Sequence, residues 1–110
     1  MRSAAVKRNR ASTSLAGKAG VVALSKTMQR ELVQHNIIVT VVAPGATDTP
    51  LYRRGRTPEL REKLARRIPF GRPASPEEVA RVVAFLADDE TAFLLAGQTL
   101  HTNGAQFMGC

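Results

Sequence analysis

A single cysteine, Cys110, stands at the last position of the chain, so neither a disulfide framework nor a cysteine-based metal cluster is open to it. Tryptophan is absent and aromatic residues make up only 5% of the sequence, which leaves no row of rings for single-stranded nucleic acid to stack on. No apolar run approaches the roughly 20 residues that a bilayer-crossing helix needs. The basic start MRSAAVKRNR matches the opening of a signal peptide, but no apolar stretch follows it. Together these absences point to a cytoplasmic protein with no membrane segment. Internal repeats, low-complexity linkers and zinc-ligand spacings are missing as well. Acid is scarce: nine Asp and Glu stand against sixteen Lys and Arg, a net charge of +7. Much of the excess lies in two blocks, Arg2–Arg10 and Arg53–Arg72. The second block interleaves with Glu59 and Glu62 on a helical pattern, the mark of a solvated face. Nucleic acid is therefore disfavoured, and an anionic cofactor or substrate fits the same charge.

What is present is a composition for one small domain: 110 residues, 44% hydrophobic and 23% charged. The segment Ile37–Thr49, IIVTVVAPGATDT, is an apolar strand running into a Pro-Gly loop. Strands covered on both faces read as continuous apolar runs, and open α/β sheets bind ligands beyond the carboxyl ends of such strands. Upstream, residues 1–13 show no periodicity and read as irregular. Ser12 or Ser14 can cap a helix whose stripe is Val21, Leu24, Met28 and Leu32. Asn36 suits the left-handed position that ends it.

Downstream, Thr57-Pro58-Glu59 opens a short helix with Leu60 and Leu64 as its stripe. Ser75-Pro76-Glu77-Glu78 is a capping box before a helix carrying Val79, Val82, Val83 and Leu86. Gln98–His101 reads as a second strand. A helical crossover between two strands favours a parallel α/β sheet. Two strands are too few for such a sheet to stand alone, so the expected fold is half of a larger domain.

Four segments in register, SLAGKAGVVALSKTMQREL, IIVTVVAPGATDTP, IPFGRPASPEEVARVVAFLADDE and GQTLHTNGA, resemble the C-terminal half of the short-chain dehydrogenase/reductases. The likeness runs from about Ser14 to Met108. It implies a Rossmann-like three-layer fold, incomplete as a stand-alone domain, with NAD or NADP as cofactor. It also implies hydride transfer between the nicotinamide and a carbonyl or secondary alcohol.

Through the family's Tyr-x-x-x-Lys motif, the resemblance assigns Lys18 to the nicotinamide ribose and to lowering the pKa of the acid/base Tyr. Ser14 occupies that Tyr position. An aliphatic hydroxyl is far less acidic than a phenol, which titrates near pH 10, so Ser14 is a poor proton donor and a better helix cap. The resemblance also places Pro44 and Gly45 against the nicotinamide. Thr47 would offer its backbone N–H to the carboxamide and Thr49 a side-chain contact. Gly45 has a reason of its own, since glycine lets backbone and ligand approach closely.

No Gly-rich turn is present to cradle a pyrophosphate, and the family's Asn-Ala-Gly segment is missing. Ser3 is the one candidate near the place of the family's catalytic Ser, and it is left unassigned. Tyr52 suits a substrate loop or packing. Arg53, Arg54 and Arg56 can meet an anionic substrate such as a thioester carrier, or stand solvated. Asp48 suits a local turn, and His35 and His101 suit structural roles.

Two functional readings follow. One is an oxidoreductase chain inactive by itself, acting on a small carbonyl or alcohol substrate once completed. The other is a non-catalytic module that pairs with another subunit of the family, as a homo- or hetero-oligomer. Its contacts would run through the Ser14–His35 helix and the C-terminal helix and strand.

Overall fold

The computed structural model describes residues 10–107, with side chains from Leu15 onward; Ser3, Met108 and Cys110 lie outside the described residues. Helix α1 spans Arg10–Leu32. It begins inside the segment expected to be irregular, and its backbone runs through Ser12 and Ser14, so neither caps it. The reason is local: Arg10–Ser14 contains no Gly or Pro to stop a helix. The other end is as expected. A 3₁₀ turn, Val33–His35, leads to Asn36 at φ +58°, whose N–H donates to the Val33 carbonyl.

The face that α1 turns inward is not the expected one. Val22, Ser25, Gln29 and Leu32 point to the interior, whereas Val21 and Leu24 are 57% and 59% exposed and Met28 38%. Both sets have helical spacing. Gln29 decides between them, because its buried amide reads the extended segment Ile37–Thr40. Its Nε2 donates to the Ile37 carbonyl at 3.3 Å and its Oε1 accepts from the Val39 N–H. One side chain thus supplies what a neighbouring strand otherwise would.

Strand β1 is Val41–Pro44 and β2 is Thr99–Thr102, paired in parallel with Val41 opposite Thr99. Both start later than the apolar pattern suggested, since pairing rather than hydropathy sets a strand's ends. Ile37–Thr40 stays extended and reaches the second strand's approach by separate bonds: Gly97 N–H to the Val39 carbonyl at 2.8 Å, and Thr40 Oγ1 to the Leu95 carbonyl at 3.0 Å. The crossover runs through α2 (Pro50–Arg53), α3 (Pro58–Ala65), α4 (Pro76–Leu86) and α5 (Asp89–Ala92).

Helices α1 and α4 lie on opposite faces of the sheet. Val22 and Lys26 share one cleft with Thr99 and His101, while Val83 and Leu86 share another with Ile38, Thr40 and Val42. Inside α4, Val79, Val82 and Leu86 turn inward and Val83 is half exposed. The parallel α/β sandwich expected from the sequence is therefore present, but its cover is thin. Ile68, 5% exposed, is the one buried hydrophobic among the described residues. Leu15, Leu51, Phe70, Phe93 and Leu94 are each more than 60% exposed, far more apolar surface than a finished sheet leaves open.

Candidate functional site

The loop that leaves β1 is held by backbone from two directions. Gly45 N–H donates to the Thr102 carbonyl at 3.3 Å, tying the loop to the end of β2. Further on, Ala74 N–H donates to the Ala46 carbonyl at 2.9 Å and Asp48 N–H to the Ala74 carbonyl at 2.8 Å. This is one rung of parallel pairing between Thr47 and Ala74. In such a rung the central residue turns its own N–H and C=O the other way, so those of Thr47 face away from Ala74. Its Oγ1 donates to the Gly45 carbonyl at 3.1 Å. Thr49 caps α2, its Oγ1 accepting from Tyr52 N–H at 3.1 Å, and its hydroxyl proton stays available to a further acceptor.

Gly45 is demanded by close approach, and the neighbour is Asn103. A Cβ built at Gly45 would lie 2.5 Å from Asn103 Cβ and 2.8 Å from its Cα. The close contact expected of this glycine is thus made in the structure by the residue that follows β2. Pro44 is exposed at the head of the loop, while residues 45–49 are half-buried.

Two fork-on-carboxylate pairs brace the rung. Arg53 holds Asp48 through Nε–Oδ1 and Nη2–Oδ2 contacts of 2.7 Å each. The hydrogen bond from Arg53 keeps the Asp48 carboxyl below its ordinary range, and the charge of Arg61 adds to the effect. Asp48 therefore acts by taking a guanidinium rather than a turn N–H. On the other side the expected capping box is complete: Ser75 Oγ accepts from Glu78 N–H at 3.2 Å and Glu78 Oε2 from Ser75 N–H at 3.0 Å. Arg72 adds bonds of 3.0 and 2.7 Å to the same carboxylate. The Arg72 bond, then the Ser75 N–H, bring the Glu78 pKa down to about 2. Ala46, Ile68, Phe70, Arg72, Glu78 and Asn103 line a cavity of about 240 Å³ beneath the loop.

Pro44, Gly45, Thr47 and Thr49 therefore come together on one braced loop. Lys18 stands exposed on α1, and no hydrogen bond joins it to that loop among the described residues. Ser14 lies one helical turn before Lys18; its backbone is helical and its side chain lies outside the described residues. The sequence reading missed Gln29, Arg72 and Asn103. A buried Gln at an inward helical position was the available sign for the first, and Arg72 three residues before the Ser75 cap for the second. Asn103 carried none. His35 is exposed in the turn after α1, and His101 packs edge-on against Phe107 with ring centroids 5.2 Å apart. Among the described residues no trio of metal-ligating side chains gathers, and no helix is long and apolar enough to cross a membrane.

Comparison with known proteins extends this geometry. Residues 2–105 match a family model described as enoyl-(acyl carrier protein) reductase. The 3-oxoacyl-[acyl-carrier-protein] reductase of Escherichia coli is 41% identical over 93 residues, which are 84% of this chain and 37% of that protein. The enzyme of the same name from Thermotoga maritima is 46% identical over 90 residues, 81% of this chain and 35% of its own length. Among solved structures, a protein from Thermus thermophilus superposes with a TM-score of 0.73 at 36% identity, covering 83% of this chain and 38% of the other. A short chain dehydrogenase from Bacillus anthracis gives 0.70 at 32% identity, covering 86% and 36%. The chain thus spans little more than a third of the length of the relatives it matches.

Proposed function

Since the chain belongs to the short-chain dehydrogenase/reductase family, we propose that it carries the nicotinamide-side half of an NAD- or NADP-dependent oxidoreductase site. The reaction class is hydride transfer between the nicotinamide and a carbonyl or secondary alcohol. The names of the relatives point to a 3-oxoacyl group on a carrier as the kind of substrate. The observation that supports this reading most is the Thr47–Ala74 rung. It leaves the N–H and C=O of Thr47 directed away from the clamp, a matched donor and acceptor for a carboxamide. Thr49 adds a hydroxyl proton at the cap of α2. A dinucleotide bound there supplies the hydride chemistry.

Each residue's part follows from its chemistry. Pro44 and Gly45 place the loop, Thr47 orients the carboxamide plane, and Thr49 holds a neighbouring oxygen. Lys18 supplies a positive charge toward the ribose hydroxyls. Ser14, in the position of the acid/base phenol, transfers a proton poorly to a forming alkoxide. The domain assignment follows: residues 14–110 are the C-terminal half of one Rossmann-type domain, inactive alone. Spectrophotometric assay of the 110-residue chain with NADH and NADPH, over a panel of 3-oxoacyl thioesters, should show no turnover. A cofactor-dependent rate that Lys18→Ala abolishes would overturn this part of the reading.

The open stripe on α1 favours a second role beside the first. Val21 and Leu24 are each more than half exposed on the helix and Met28, on the same face, is 38% exposed, and a row of this kind is suited to a partner helix. We assign this face, with the C-terminal helix and strand, to assembly with another subunit of the family, alike or different. Gel filtration with a full-length relative tests the assignment. A stable complex is expected, and separate elution at micromolar concentration would contradict it.

A further inference from the structure

The turn that follows β2 is wedged between the Pro-Gly loop and the core. Gln106 N–H donates to the Asn103 carbonyl at 3.1 Å, with Gly104 at φ +59° and Ala105 at φ +63°, the pattern of a type I′ turn. On one side Asn103 lies against Gly45, where a built Cβ would also meet Gln106 Oε1 at 3.2 Å. On the other, a Cβ added at Gly104 would meet Phe70 Cδ2 at 3.5 Å and Ile68 Cγ2 at 3.6 Å, so the turn rests on the buried Ile68. Asn103 is fastened by its amide as well, since Nδ2 donates to the Phe107 carbonyl at 3.0 Å. Ala105 is strained in this arrangement. Asn36 is the only other non-glycine with positive φ among the described residues, and Asn tolerates that region where an alanine methyl crowds the following carbonyl. Such strain persists only where the surroundings over-determine it, and it gathers at functional sites.

We infer that this turn sets how the Pro-Gly loop presents Thr47, with Asn103 as the positioning residue acting through Gly45. The chain of contacts is short. Gly45 N–H is held by the Thr102 carbonyl at 3.3 Å, Asn103 packs against Gly45, and Thr47 Oγ1 donates to the Gly45 carbonyl at 3.1 Å. A shift of the turn therefore passes to Thr47 through a single residue, which has no side chain to absorb it. That the turn sets the loop rests on these contacts alone; that the groups so presented meet a nicotinamide rests on the function proposed above.

The test reads backbone amides of the 110-residue chain by ¹H–¹⁵N spectroscopy, first alone and then with NADPH. Ala105→Val puts a branched side chain where the left-handed region excludes it. It should open the turn, move the Gly45 and Thr47 amides, and weaken NADPH binding about tenfold. Ala105→Gly takes the same region freely, so it should leave both amides in place and raise the unfolding midpoint. Asn103→Gly, which removes the Cβ against Gly45 and keeps the backbone bond of the turn, should move the same two amides. Those of α4 are the control, because a loss of stability by itself leaves native resonances where they are. Gly45 and Thr47 amides that stay fixed in Ala105→Val and Asn103→Gly, or move no more than those of α4, would overturn the proposal. Should Ala105→Val fail to fold, Asn103→Gly decides alone. If the unmodified chain ignores NADPH while the variants still move the loop, the positioning stands and the cofactor reading falls.

Discussion

The braced loop and the long helix face the same shortage of core and answer it in opposite ways. From Gly45 to Glu78 the chain ties itself locally, through the Ala46–Ala74–Asp48 rung, two bidentate Arg–carboxylate pairs and three side-chain caps. Helix α1 instead holds the rest through the Gln29 amide and leaves Leu15, Val21 and Leu24 open. Where polar groups close on themselves, a fragment of a fold keeps its shape. Where burial is needed, it waits for apolar cover that these residues do not supply.

The contrast can be broken most severely at the core. Ile68→Ala should cost about 3 kcal/mol, read as a lower urea midpoint, whereas Leu24→Ala on the open stripe should change little. Equal losses would mean that α1 is buried after all. Glycines sharpen the same difference. Gly45→Ala forces a Cβ onto Asn103 and should cost about 1–3 kcal/mol. Nothing lies within 4 Å of a Cβ added at Gly17, so Gly17→Ala in α1 should raise stability by about 0.5–1 kcal/mol. Differential scanning calorimetry of the two variants should therefore show shifts of opposite sign.

Smaller effects belong to the caps and charges. Ser75→Ala should lose about 1 kcal/mol, visible as increased amide exchange at Glu78 and Val79. Acid should act on the braced half through Glu78 and Asp48. Glu78 has its folded pKa lowered from 4.5 to about 2, so its contribution is complete above the higher value and disappears as pH falls through the lower one. Asp48, also lowered by its Arg53 bond, works in the same direction. A stability profile from pH 5 to pH 2 should decline, and Glu78→Gln should flatten part of it. An unchanged slope in that variant would show that the Arg72 pair contributes nothing.

What could be read from the sequence was what neighbours in the chain decide. Thr57 and Ser75 cap their helices, Asn36 takes the left-handed position, and the two strands run parallel. The family's motif spacing also placed Pro44, Gly45, Thr47 and Thr49 on one loop, where the structure has them. What could not be read depends on distant partners. The stripe Val21, Leu24, Met28 and the inward set Val22, Ser25, Gln29 are equally helical, and the difference lies in carbonyls at Ile37 and amides at Val39. Gly45 answers to Asn103, nearly sixty positions away, and the Thr47 rung needs Ala74, which follows two further helices in the chain. The start of α1 at Arg10 went unread because a helix without a cap signal or apolar period leaves no trace in composition.

The most direct test of the nicotinamide-side assignment is a ¹H–¹⁵N titration of the chain with NADPH and NADH, followed at the backbone amides. Saturable shifts centred on Gly45, Thr47 and Thr49, weakened by Lys18→Ala and absent along α4, are the expected result. Amides of the loop that stay fixed at millimolar cofactor, while only the basic residues of α3 respond, would contradict it.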